Sequence, residues 1–163
     1  MLNGPIIGEF THESSQTKKL LEKVPANKFD WKPHGRSMSL GKLAAHVANT
    51  AQWMTIALTS DEFDFLKSTY KEEKAATEED LLKIFQTKYD EALQSLQNAS
   101  DESLKQTWTF RRGEQVIFSM PRIAAIRTLA MNHLIHHRGQ LSVYLRLLDI
   151  PIPGMYGPSA DEM

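Results

Sequence analysis

Ser119-Met120-Pro121-Arg122-Ile123-Ala124-Ala125-Ile126-Arg127-Thr128-Leu129-Ala130-Met131-Asn132-His133-Leu134-Ile135-His136-His137-Arg138-Gly139-Gln140-Leu141 opens a segment that keeps a helical period to about Leu148, where Asp149-Ile150-Pro151 breaks it. A helix advances about 100° per residue, so each side chain can be placed on a wheel. With His133 as reference, Ile126, Ala130, His137, Leu141, Tyr144 and Leu148 fall within roughly 80° to one side of it. This puts His137 in the middle of the apolar arc, His133 near its edge and His136 on the far flank.

Three further segments carry the same period. The first spans about Pro5 to Val24, with Ile7, Phe10, Ser14, Thr17, Leu21 and Val24 on one face and Pro25 as its stop. The second follows the N-cap Ser39 and runs from Leu40 to about Leu58. Its arc holds Leu43, Val47, Thr50, Met54, Ala57 and Leu58, with His46 and Trp53 at the margin. The third starts at Thr77-Glu78-Glu79-Asp80, a capping-box variant, and presents Leu81, Leu82, Phe85, Tyr89, Ala92, Leu93 and Leu96 as a stripe. The expected fold is all-α: a single domain over residues 1–163, built as a four-helix bundle with long crossovers at 25–39, 59–77 and 99–119. Trp108-Thr109-Phe110 and Val116-Ile117-Phe118, flanking Arg112-Gly113-Glu114, allow a short hairpin before the last helix. Residues 151–163 form a Pro/Gly-rich extension, read either as a frayed tail or as an extended segment laid over the helices.

Composition narrows the chemistry. The chain has 163 residues, 19 Lys+Arg against 20 Asp+Glu, six histidines and no cysteine. Near-neutral charge gives no grip on a phosphate backbone, so a nucleic-acid partner is not expected. The absence of cysteine excludes disulfides, thiolate-held clusters and a protein thiol nucleophile. The N-terminal stretch lacks the basic and apolar regions of a secretory signal, and no run approaches the length of a membrane span; a cytoplasmic location is the expectation.

The histidines then carry the functional reading. His46, His133 and His137 point inward, while His12, His34 and His136 do not. Two imidazoles at i and i+4 stack on a helix and can share one ion; a third from a facing helix makes a set that suits Zn, Ni or Fe with an open position. A spacing-four pair also arises by chance in about one such sequence in five, and an inward histidine can simply be a hydrogen-bonded core residue. Gln140 lies about 20° from His133 and reaches the rim of such a site, whereas Arg138, about 140° round, reads as a structural residue at the helix surface or in an interface. Ser14, Thr17 and Thr50 could line a polar pocket, and Tyr144 could present its hydroxyl to it. Glu72-Glu73 reads as a solvated acidic run. Ile84 and Ile135, on outer faces, permit a helix-face homodimer.

Asn132-His133-Leu134-Ile135-His136-His137-Arg138-Gly139-Gln140-Leu141, with upstream Leu43-Ala44-Ala45-His46-Val47-Ala48, resembles the DinB/YfiT-like family. Val24-Pro25, Asp30-Trp31-Lys32-Pro33-His34 and Pro153-Gly154-Met155-Tyr156-Gly157-Pro158 extend the likeness over nearly the whole chain. The resemblance implies a four-helix bundle holding one divalent metal ion on His46, His133 and His137. It further implies small-molecule chemistry of the thiol-dependent S-transferase kind, with a low-molecular-weight thiol as cosubstrate. Hydrolysis is the weaker subclass, since no carboxylate stands out as a general base. The alternative is a non-catalytic metal-binding or stress-response protein.

Overall fold

A computed structural model describes residues 1–163. In chain order the elements are α1 (Asn3–Leu21), α2 (Leu40–Asn49), α3 (Gln52–Thr59), β1 (Glu62–Asp64), α4 (Glu78–Gln97), α5 (Asp101–Lys105), β2 (Thr107–Arg112), β3 (Gln115–Pro121), α6 (Arg122–Ile126) and α7 (His133–Leu147). A single 3₁₀ turn at Ala26–Lys28 follows α1, and a π-helical segment, Arg127–Asn132, joins α6 to α7.

All four expected helical segments exist, two of them with internal irregularities. The second divides into α2 and α3. At the division Thr50 turns its hydroxyl back onto the His46 carbonyl at 2.7 Å. Such back-bonding competes with the helical ladder and bends helices. At α4 the capping box is complete: Thr77 Oγ1 accepts from the Asp80 N–H at 3.0 Å, and Asp80 Oδ2 accepts from the Thr77 N–H at 3.1 Å. At the end of α7 the Ile150 N–H donates to the Leu145 carbonyl and the Asp149 N–H to that of Arg146, the Schellman pattern. Asp149 takes the left-handed position, φ 57°, which a short polar side chain tolerates.

The all-α expectation, which allowed no more than a short hairpin, needs correction, because a three-stranded sheet is present in the order β1-β2-β3. The expected hairpin is β2 and β3, antiparallel with Phe110 opposite Phe118, and closed by Gly113-Glu114 with Gly113 at φ 58°. Strand β1 adds in parallel, Phe63 opposite Phe110. Three residues are too few to show an alternating pattern, so nothing in the sequence marks β1. The long third connection is therefore occupied by α5 and the hairpin. Trp108, fully buried, anchors the sheet to the helices.

Helix α4 packs on α1, α2 and α3, while α7 packs on α2 and α1. Two apolar clusters result. The first gathers Leu20, Leu21 and Val24 with Leu43, Val47, Leu81, Phe85, Leu134, Leu141 and Leu145. The second gathers Ile6, Phe10, Met54, Leu96, Leu104, Trp108, Ile126 and Met131. Each fully buried leucine here contributes about 1.5–3 kcal/mol relative to exposure. The α2–α3 rod passes from the first cluster to the second after Ala48, and the last helical rod passes between them at Asn132-His133. The histidines stand beside that changeover.

Two expectations about faces are corrected and a third, left open between two readings, is decided. The buried stripe of α7 is Leu134, Arg138, Leu141 and Leu145, which moves His137 from the middle of the stripe to its flank. Arg138, expected at the surface or in an interface, lies in one and is buried because it meets Glu13 of α1: Nη2 lies 2.6 Å from Glu13 Oε2, and Nη1 donates to the Glu13 carbonyl at 2.9 Å. Ile84, expected on an outer face, packs in the first cluster, so it offers no surface for a homodimer.

The C-terminal segment lies over the helices. Ile152 and Met155 pack on the first cluster. The Tyr156 hydroxyl reaches Glu13 Oε2 at 2.9 Å and Arg138 Nη2 at 2.7 Å, and Asp161 accepts from Arg146 Nη1 and Nη2 at 3.0 and 2.6 Å. No helix is long and apolar enough to cross a membrane.

Candidate metal centre

His46 projects from the last turn of α2, and His133 and His137 from successive turns of α7. One ring nitrogen from each lies within 4.8 Å of the others, making a group that could hold a metal ion. The rings meet pairwise with centroids 5.0 Å apart (His46 and His133), 4.4 Å (His46 and His137) and 4.6 Å (His133 and His137). All three side chains are half-buried.

The outer nitrogens decide the chemistry of the inner ones. His46 Nδ1 lies 2.6 Å from Glu72 Oε1, His133 Nδ1 3.2 Å from the Leu129 carbonyl, and His137 Nδ1 2.7 Å from Gln140 Oε1. Each partner is an acceptor, so each Nδ1 carries the proton and each Nε2 is left with a lone pair. Metal-ligating histidines are oriented in this way. The His46 and His133 Nε2 atoms stand 3.2 Å apart. Two nitrogens about 2.1 Å from one ion lie about 3.0 Å apart at a right angle and about 3.4 Å apart at the tetrahedral angle. The spacing and the donor set therefore fit a divalent transition ion; without one, the same 3.2 Å suits a hydrogen bond with a proton on one of the two nitrogens.

Burial works against protonation of two of the three rings. Burial, reinforced by the nearby His46 ring, holds His133 below the ordinary imidazole range. Burial does the same for His137, against the opposing effect of the Gln140 acceptor. The bond from His46 holds the Glu72 carboxyl below the usual carboxylate range.

The π-helical segment supplies one of the three acceptors. In a regular α-helix the Leu129 carbonyl would take the His133 N–H. Here that N–H turns to the Ala130 carbonyl, leaving the Leu129 oxygen open to the imidazole. Wide π turns often occur at functional positions.

The structure places Gln140 where the sequence expects it, beside the histidines. Its Nε2 also lies 3.1 Å from His136 Nε2, so exposed His136 steadies the amide that orients His137. The other suggested pocket residues are elsewhere. The Tyr144 hydroxyl reaches the Met38 carbonyl at 3.4 Å, and the ring packs edge-on against Trp31. Thr50 is spent on its own helix. Thr17 bonds the Glu13 carbonyl at 2.8 Å and receives Arg138, and Ser14 lines a groove beside Phe85 and Tyr89 of α4. His12 and His34 are exposed.

Glu72 is the site residue that sequence reasoning missed. It sits in the connection between β1 and α4, where no period applies, and its neighbours Glu73 and Lys74 make the stretch read as solvated. A cleft of about 580 Å³ opens beside it, walled in part by Asp30, Ser39, Lys42 and Lys74.

A family model described as DinB family matches residues 3–163. The chain belongs to the DinB family. Among DinB relatives, YjoA of Bacillus subtilis (strain 168) is 27% identical over 143 residues, covering 86% of this chain and 87% of that protein. YrdA of the same organism is 36% identical over 69 residues, 40% of this chain and 41% of that protein. The crystal structure of the DinB-like protein YjoA superposes with a TM-score of 0.76 at 22% identity, covering 96% of this chain and all of that one. A DinB-like protein from Bacillus cereus ATCC 10987 superposes with a TM-score of 0.70 at 21% identity, covering 90% and 92% of the two chains. These superpositions establish the DinB-like fold.

Proposed function

We propose that this DinB protein binds one divalent transition ion, Zn, Ni or Fe, through His46, His133 and His137, and uses it on small molecules with a low-molecular-weight thiol as cosubstrate. The observation that carries the reading is the set of three Nδ1 acceptors, which turns Nε2 of each ring toward metal binding in a group whose ring nitrogens lie within 4.8 Å of one another. An ion held there supplies Lewis acidity, lowering the pKa of a water or thiol.

The chain's own residues favour a thiol over water. A hydrolytic reading asks for a carboxylate base, and Glu72, the carboxylate at the site, is engaged by His46 and held more acidic than usual, which makes it a poor base. No cysteine exists to act as an internal nucleophile, so a thiolate must come from a cosubstrate. The cleft beside Glu72, lined by lysines and acidic groups and reaching the centre through Glu72 rather than through the histidines themselves, has a volume in the range of small-molecule sites.

A second reading is metal binding without turnover. It is favoured by the placement of the donors on two different helices, α2 and α7, which an ion would tie together. The test separates the two. Tag-free protein is analysed for metal, then loaded with Zn, Ni, Mn or Fe and screened with small thiols and electrophilic acceptors. Metal-dependent loss of free thiol supports the first reading. Stoichiometric metal with no turnover, and a large loss of thermal stability on chelation, supports the second. Substoichiometric metal in both wild type and His137→Ala removes the site.

A further inference from the structure

Resting on the reading of the three histidines as metal ligands, we propose that Glu72 is the positioning residue for His46 and that Asn49 delivers it. Ion binding and ordering of the segment between β1 and α4 are thereby coupled. His46 and Asn49 are three residues apart on α2 and so share a face. Asn49 is fully buried, and both ends of its amide are used on one residue of the segment. Its Oδ1 accepts from the Glu73 N–H at 3.1 Å, and its Nδ2 donates to the Glu73 carbonyl at 3.0 Å and to the Ala45 carbonyl at 2.8 Å. A two-point grip on one backbone residue fixes both the position and the direction of the chain there. The Glu73 carboxylate meets Lys88 of α4 at 2.8 Å, a third anchor. Glu72, one residue earlier, is thus set against His46 Nδ1 at 2.6 Å, the length of a strong charge-assisted bond.

An ion on Nε2 makes the Nδ1–H of the same ring a better donor, and Glu72 receives it. Coupling of this kind is reciprocal: whatever factor the carboxylate adds to metal affinity, the metal adds to the contact that holds the segment. Neither His133 nor His137 has this property, since their acceptors, Leu129 and Gln140, belong to the same helical rod as the rings.

The experiment uses the full chain with zinc as probe. Glu72 is part-exposed, so Glu72→Ala and Glu72→Gln keep the core intact; Asn49→Ala, at a buried position, serves as a companion only. In metal-free wild type, ¹⁵N NMR should find His46 protonated at Nδ1, and Glu72→Ala should convert it to a tautomer mixture. Zinc affinity should fall about 10–100-fold in Glu72→Ala, the usual cost of losing such a partner, with Glu72→Gln between it and wild type. Zinc should slow hydrogen exchange of the Glu73 amide in wild type and not in Glu72→Ala. Wild-type zinc affinity in Glu72→Ala, or an unchanged His46 tautomer, overturns the proposal. A wild type that takes up no zinc overturns the metal reading on which it rests, a failure told apart by the tautomer measurement, which needs no metal.

Discussion

At the residue scale the site separates neighbours that look interchangeable in the sequence. His136 and His137 are adjacent, yet His137 brings a ring nitrogen to the group and His136 only supports Gln140. Isothermal titration with zinc should show His137→Ala losing more than the roughly 10–100-fold that an orienting partner is worth, and His136→Ala staying within that range. Acidity acts through the same rings. His133 and His137 are held below ordinary imidazoles, so below about pH 6.5 the unfolded chain takes up protons that the folded chain resists. Metal-free protein should therefore lose stability as pH falls from 7 toward 5.5, measured as urea midpoints in chelator. Glu72, also depressed, adds a loss of the same sign only at lower pH, near and below the ordinary carboxylate range. A midpoint that rises on acidification would contradict the burial assigned to these rings. Beside them, Arg138 and Glu13 form an ion pair shut away from water. Arg138→Ala leaves Glu13 uncompensated, and a loss of about 3–5 kcal/mol in denaturant unfolding is expected. Arg138→Met with Glu13→Gln should recover much of it.

At the element scale, irregular stretches do more for the site than regular ones. The π-helical segment frees the Leu129 carbonyl for His133, and the Thr50 back-bond ends α2 one turn after His46. Neither was legible, because a wheel drawn at a constant 100° per residue assumes an unbroken ladder. The wider π turn also falsifies that wheel between Ile126 and His133. This is one reason why the arc expected on α7 is displaced from the stripe actually buried. The start of α4, by contrast, was fully legible, since a capping box is a local device whose partners lie three residues apart. Thr77→Ala removes it and should cost about 1 kcal/mol, seen as a fall of about 2–4 °C in the thermal midpoint.

For the whole molecule, the ion would join two helical rods that otherwise meet through side-chain packing. Ligand binding to the folded state alone stabilises by about 2.7 kcal/mol at a free ion concentration one hundred times Kd. Calorimetry with and without zinc should show that gain in wild type and lose most of it in His46→Ala. The C-terminal segment is the other long-range tie, pinned by Tyr156 to the Glu13 and Arg138 pair at one end and by Asp161 to Arg146 at the other.

What the chain determined by itself was whatever depends on near neighbours in sequence: the four helical segments, their caps and stops, the hairpin turn, and the stacking of His133 over His137. His46 joined them because a margin residue on one amphipathic helix must face another. What only the tertiary structure decided was every partner that has no period to announce it. Glu72 arrives from an irregular connection through Asn49, and Arg138 is buried because Glu13 waits on another helix. The division has a physical cause. Helical periodicity encodes which face is dry, but a charged group is placed by the opposite charge or donor it meets, and that meeting exists only once the chain has folded.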